Sequence, residues 1–178
     1  MPRIRTALFI ALPILAACSE HLPTATRVSV ITHPSAKAAL AASPVRPFGG
    51  TCETDIAILP PVPSDPPNVL RIHIESLCQL KHLGRSTAIT EQIVVFTGPT
   101  TAIASNSTTY TAANGDQLFA TWTGTSTSVG ADITFSGPET YTGGTGRFVA
   151  ASGSATIAGT ASFLTNTGQF TSVGTLSY

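Results

Sequence analysis

Apolar and polar residues alternate along most of the chain between positions 49 and 178. Eight runs show this period of two, and segments rich in Gly, Pro, Asn and Asp separate them, as expected for strands joined by turns. The predicted strands are 51–59, 69–80, 85–97, 101–112, 117–127, 131–141, 147–163 and 168–178. We find no helical pattern of ten or more residues in this region. The pattern predicts an all-β domain, a sandwich or a barrel, and eight strands suit a closed barrel without exposed edges.

The first two predicted strands can be paired from the sequence. A loop at residues 60–67 places Cys52 opposite Cys78 and puts four isoleucines on the same face as the two cysteines. Those isoleucines are Ile56, Ile58, Ile72 and Ile74. In an oxidising compartment we expect Cys52 and Cys78 to form a disulfide, and two buried free thiols are the alternative. A register shifted by two also stays open, because a directly facing pair is not the easiest disulfide geometry.

The N-terminus has the pattern of an export signal. Arg3 and Arg5 precede an apolar run at residues 7–17, which would span about 16 Å as a helix, too short for a bilayer core of about 30 Å. The tetrad from Leu15 to Cys18 resembles the lipobox of bacterial lipoproteins. The resemblance implies cleavage before Cys18 and diacylation of its sulfur, so that acyl chains attach the protein to a membrane. An ordinary signal peptide cut nearby is the alternative.

These features predict a location and a domain organisation. We expect an exported protein, lipid-anchored in the bacterial cell envelope, and Ser19 after the cysteine is similar to the pattern sorted to the outer membrane in Gram-negative cells. Residues 1–17 are the predicted signal peptide. Residues 18–48, which are rich in Ala, Pro and Ser, are predicted to form a flexible tether, and residues 49–178 the β domain.

The chain has few charged residues, and this argues against one class of partner. Charged residues make up 10% of the chain, against about a quarter in average proteins, and 9 basic residues balance 9 acidic ones. We therefore expect no nucleic-acid partner, since no basic excess exists to neutralise phosphates. Ser and Thr together occupy 45 positions and solvate the outer faces of the predicted strands.

One glycine-rich segment resembles a known family. Gly143-Gly144-Thr145-Gly146-Arg147-Phe148, followed by Ala151-Ser152-Gly153-Ser154, resembles a hairpin of the allene oxide cyclase and dirigent barrel superfamily. The likeness covers about residues 49–178, and the runs 113–119 and 174–178 resemble bacterial secreted members with that barrel. It implies an eight-stranded antiparallel up-and-down barrel and, as in the plant proteins, a homo-oligomer. The plant catalytic residues do not match this chain one by one, so we assign no catalytic residue.

A polar cluster gives the candidate ligand or rim residues. These are His73, Glu75, His82 and Arg85, which form the cluster together with Glu91, and in addition Arg147 of the glycine-rich segment. Two histidines and a carboxylate could bind zinc, but their spacing fits no recurring motif, so we predict no metal and no cofactor. Arg147 is expected to bond loop carbonyls or pair with an acid. Trp122, Phe119 and Phe135 are expected to pack in the core rather than to stack on a ligand.

Two functions remain open from the sequence. The first is a non-enzymatic envelope barrel that binds a small apolar ligand or another envelope protein, although a purely structural envelope protein cannot be separated from it. The alternative is a cyclase- or isomerase-like barrel enzyme acting on a hydrophobic substrate. The enzyme hypothesis requires a cavity of about 300 Å³ or more with an inward ionisable group, and His73 and Glu75 are the expected candidates for that group.

Overall fold

Eight antiparallel strands form one closed barrel in the computed structural model, which describes residues 43–178. Each strand pairs with the next one along the chain, and the last pairs with the first. The strands are β1 (Val45–Ile58), β2 (Val69–Leu80), β3 (Gly84–Phe96), β4 (Thr101–Ala112), β5 (Gln117–Val129), β6 (Asp132–Gly144), β7 (Ser152–Ser162) and β8 (Thr167–Ser177). The predicted all-β, eight-stranded barrel is confirmed. The predicted signal peptide, Cys18 and the tether up to residue 42 lie outside the described residues.

The predicted pairing of β1 with β2 is also confirmed. Cys52 faces Cys78 without a shift of register, and a disulfide joins them. The flanking isoleucine pairs follow the same register. The alternation of apolar residues and the position of the two cysteines therefore predicted the observed register, because a slip of one residue would have placed the two cysteines on opposite faces of the sheet.

The first strand starts earlier than the sequence pattern predicts. β1 begins at Val45 rather than at residue 51, and Phe48 is almost completely buried. Residues 45–49 pair with β8 on one side only, because the pairing with β2 starts at Gly50. Proline has no backbone N–H to donate, and Pro47 is tolerated here because this part of β1 has an unpaired edge. Residues 45–48, which the sequence assigns to the tether, belong to the barrel.

One end of the barrel is plugged by side chains. Six large apolar residues pack there: Phe48, Leu80, Leu83, Leu118, Phe148 and Leu176. Phe148 belongs to a short 3₁₀ helix (Gly146–Phe148), and its side chain is fully buried. The sequence pattern predicts a strand from residue 147, so this part of the prediction is wrong and β7 begins only at Ser152. The chain turns here because Gly146 adopts a left-handed φ of 55°, which glycine allows without steric cost. The plug closes this end, near the start of β1 and the end of β8.

Candidate functional site

The other half of the barrel encloses a cavity of about 280 Å³. Its apolar wall is built from inward-facing residues of several strands: Ile56, Ile72, Ile74, Val94, Ala104, Trp122, Phe135, Ile157 and Phe170. The lining continues to Thr100, Ser128, Gly130 and Phe163, which lie in or beside the loops at the end opposite the plug. The cavity therefore has its mouth at these loops and its floor at the plug.

Polar side chains form one strip of the cavity wall on β3 and β4. The hydroxyls of Thr90 and Thr108, which face each other across the two strands, are 2.9 Å apart. The next facing pair toward the mouth is Gln92 and Asn106, and the Asn106 amide donates to Gln92 Oε1 at 3.2 Å. These bonds satisfy the polar groups of the strip while keeping it polar toward the cavity.

A buried acid lies at the floor of the cavity. Glu139 on β6 is only 1% exposed, and the hydroxyl of Tyr110 on β4 donates to its Oε1 at 2.8 Å. Tyr141 lies two residues further on the same face, and its hydroxyl is 3.5 Å from that of Ser172 on β8. Space for this arrangement comes from small neighbours, since Ala120 on β5 faces Tyr141 and Ala155 on β7 faces Glu139.

Burial controls the ionisation of this cluster. Burial raises the pKa of the Glu139 carboxyl above its usual value, and the hydrogen bond from Tyr110, with the nearby hydroxyl of Tyr141, offsets only part of that rise. Burial and the nearby carboxylate also raise the pKa of both tyrosines well beyond the physiological range. Glu139 is therefore the group in the cluster that can change charge under ordinary conditions.

Two fully buried polar atoms beside the cavity have no hydrogen-bond partner within residues 43–178. They are Oε2 of Glu139 and Nε1 of Trp122. Both residues line the cavity, and they face each other directly on β6 and β5. An unsatisfied buried polar group costs about 1–3 kcal/mol, so each of these two atoms calls for a partner such as a water molecule or a ligand group.

The local sequence of β6 explains how the acid is placed. Gly137 and Pro138 of β6 have no paired residue on β5. Pro138 has no backbone N–H, so it cannot donate a hydrogen bond between the strands. A side chain at Gly137 would clash with the Thr123 carbonyl oxygen, so the two strands approach closely just before Glu139. Glycine is thus required at the close approach that precedes the inward-facing acid.

The predicted candidates His73 and Glu75 lie on the outside of the barrel. His73 Nδ1 is 2.5 Å from Oε1 of Glu91 on β3, and His73 Nε2 is 3.6 Å from Oε1 of Glu75. Glu91 raises the pKa of His73, with a smaller contribution from Glu75. Neither His73 nor Glu75 reaches the cavity, because inward residues of β2 are the even-numbered ones, from Ile72 to Leu80.

The other predicted candidates lie at the plugged end. His82 Nε2 contacts the Pro47 carbonyl oxygen at 3.1 Å, and Arg147 donates to the His82 carbonyl oxygen at 2.7 Å. Arg147 also lies 3.7 Å from an Asp116 carboxylate oxygen and stacks over Phe148. These contacts hold the plug together. Arg85 is exposed at the start of β3, so the structure does not bring the five candidates into one site.

Glu139 is absent from the candidates predicted above, although the sequence carries a signal for it. On β6, Ile133, Phe135 and Tyr141 have the same parity as Glu139, so the period of two places the acid on the apolar face. The charged residues of β2 and β3 draw more attention in the sequence than Glu139 does, but their side chains lie on the solvated outer face of the barrel. Trp122 is buried and packs edge-on against Phe135, as expected for the core, but it also forms part of the cavity wall.

Within residues 43–178, no group of three or more His, Cys, Asp or Glu side chains is arranged to hold a metal ion. No helix in that part of the chain combines the length and apolar character needed to cross a membrane.

Comparisons of the chain with protein-family models, with curated proteins and with solved structures found no match. The resemblance to allene oxide cyclase barrels therefore stays a prediction, whereas the closed eight-stranded barrel follows directly from the strand pairing.

Proposed function

We propose that this protein binds a small, predominantly apolar molecule inside its barrel. The observation that carries the proposal is the cavity of about 280 Å³, closed below by the plug and walled mainly by aliphatic and aromatic side chains. Moving apolar surface from water into such a pocket is favourable by about 25 cal/mol per Å². The volume is near the lower end of the range typical of small-molecule sites, about 300–1,000 Å³, so the ligand is compact.

The proposed location is the bacterial cell envelope, with a lipid anchor at Cys18. Support comes from the N-terminal sequence, where the lipobox-like tetrad follows a short apolar run. The barrel is compatible with such an anchor, because β1 starts at the plugged end and the mouth lies at the opposite end. Replacing Cys18 by Ser should abolish acyl labelling and release the protein from membranes, and unchanged retention would contradict the anchor.

Acid–base chemistry is the second candidate function. It is favoured by one observation: a carboxyl with a raised pKa lies at the floor of the cavity. A protonated carboxyl can donate a proton to a bound substrate and recover one as carboxylate, which is the chemistry that a cyclase or isomerase requires. The function then rests on Glu139, not on His73 or Glu75.

Extraction of the protein from its own membranes tests the binding proposal. Organic extracts of the purified full-length protein are compared by mass spectrometry for the wild type, Ala104→Phe, which fills the cavity, and Ile103→Phe, which changes the outer face of the same strand. We expect a compact apolar compound with the wild type and Ile103→Phe and its loss from Ala104→Phe. Identical extracts from all three proteins would contradict the proposal.

A fourth protein, Glu139→Gln, separates the two candidate functions. A binding protein should retain the same compound as the wild type. An enzyme lacking its acid should instead retain unconverted substrate, so the compound recovered from Glu139→Gln would differ from that recovered from the wild type.

A further inference from the structure

We infer that the ligand carries an uncharged carbonyl-type oxygen and that Glu139 and Trp122 bind this oxygen together at the floor of the cavity. The inference rests on the proposed binding function and specifies the class of ligand. It starts from the two buried atoms that lack partners within the described part of the chain, Glu139 Oε2 and Trp122 Nε1.

The hydrogen-bonding roles of the two side chains point to an acceptor on the ligand. An indole N–H donates and cannot accept. Oε1 of Glu139 already accepts a hydrogen bond from Tyr110, so in the neutral acid the free position, Oε2, carries the proton and donates. The two donors belong to directly facing residues of β5 and β6, and a carbonyl oxygen has two lone pairs, so one oxygen lying between them would accept from both. Both atoms are fully buried in the ligand-free barrel, so neighbouring side chains shift to let the oxygen reach them when the ligand enters the cavity.

The charges around the cavity argue against an ionised ligand. No Lys, Arg, His or Asp is among the described residues that line it, so a ligand carboxylate would find no counter-ion there. The groups around Glu139 are Trp122 and Ala155 on the neighbouring strands, Tyr110 on β4 and Tyr141 on its own strand, with Ser172 beside Tyr141, and none of these carries a charge at neutral pH. Burial of an unpaired ion is costly, so a neutral acid paired with a neutral carbonyl is the favoured combination.

A matched pair of probes tests this inference on the full-length protein in detergent. The fluorescent probe 1-aminoanthracene is first bound and then displaced by 2-acetylnaphthalene or by 2-ethylnaphthalene, which differ only in the carbonyl. One or two hydrogen bonds at about 1 kcal/mol each predict that the ketone binds about five- to thirtyfold more tightly.

Two variants test the hydrogen-bonding roles directly, through the size and the pH dependence of the preference for the ketone. A purely structural role of Glu139 or Trp122 would change neither. The wild-type preference for the ketone should fall as pH rises through the pKa of Glu139, because a carboxylate has no proton to donate. Glu139→Gln keeps an N–H donor at every pH, so its preference should not change with pH. Trp122→Phe should still bind both naphthalenes but with a smaller preference, because one donor is gone.

The outcomes separate this inference from the proposed function. Equal displacement by the two naphthalenes overturns the inference and leaves apolar binding intact. Displacement by neither, with no binding of 1-aminoanthracene, overturns both. Tighter binding of the cationic analogue 2-(naphthalen-2-yl)ethylamine than of the ketone would show that Glu139 acts as a carboxylate, which also contradicts the inference.

Discussion

Glu139 and Trp122 face each other directly across β6 and β5, and both side chains are buried inside the barrel. The pair lies where the cavity meets the packed plug, since Trp122 belongs to the apolar cluster around the cavity while Tyr110, the partner of Glu139, belongs to the plug cluster. An acid that is costly to bury thus occurs at the boundary where a ligand could reach it. This placement is the reason to treat the acid as functional.

Replacing Glu139 by Gln should change the pH dependence of stability. Because burial raises the pKa of Glu139 in the folded protein, its contribution to stability is fully present below the unfolded pKa of about 4.5. That contribution is lost as pH rises through the folded pKa. Glutamine does not ionise, so Glu139→Gln should gain free energy of unfolding relative to the wild type as pH rises from about 4 to about 8, measured by urea denaturation.

Glu53→Gln provides the matched control, because Glu53 lies on the outer face of β1. If Glu139→Gln instead loses free energy of unfolding relative to the wild type as pH rises from about 4 to about 8, the prediction is contradicted. That result would mean that the native state depends on the ionised carboxylate.

His73 should titrate above the usual histidine pKa of about 6.5, chiefly because of the carboxylate of Glu91. Its stabilising interaction is fully present below pH 6.5 and is lost as pH rises through the folded pKa. NMR titration of the imidazole protons should show a lower midpoint in Glu91→Gln than in the wild type. A smaller decrease is expected for Glu75→Gln, since Glu75 is farther from the ring. An unchanged midpoint in Glu91→Gln would show that the two side chains do not interact in solution.

The disulfide between Cys52 and Cys78 should be a major source of stability. The two cysteines are 26 residues apart in sequence. In the chain-entropy model, a cross-link that closes a loop of this size contributes about 3 kcal/mol to the free energy of unfolding. Reductant should therefore lower the Tm of the wild type, and the double variant Cys52→Ala, Cys78→Ala should have a similarly low Tm that reductant does not change. Reaction of both thiols with a labelling reagent in the unreduced native protein would contradict this prediction.

The sequence predicts the strands well where alternation and turn residues agree. The pairing of β1 with β2 is one example, and the small apolar face of β7, with Ala155 and Ile157 buried, is another. The predictions fail at the plugged end. There, Pro47 obscures the start of β1, and Phe148 breaks the alternation because it fills the end of the barrel.

The candidate site was harder to predict than the fold, for a physical reason. A single acid such as Glu139 follows the period of two as any inward residue does, but its burial depends on Tyr110, which is 29 residues away in sequence and two strands away in the barrel. Only the closed barrel brings the two together. The clustered charges around His73 are conspicuous in the sequence because neighbouring outward positions tolerate charge.

The most direct test of ligand binding is whether an apolar probe enters the barrel. Trp122 is the only tryptophan of the chain and lines the cavity, so its fluorescence reports occupancy. Titration of the full-length protein with 1-aminoanthracene should quench Trp122 emission saturably in the wild type and in Ile103→Phe. Binding should be at least about tenfold weaker in Ala104→Phe, whose added ring occupies the cavity. Equal quenching in Ala104→Phe and Ile103→Phe, at the same Kd, would contradict the proposal that the cavity is the binding site.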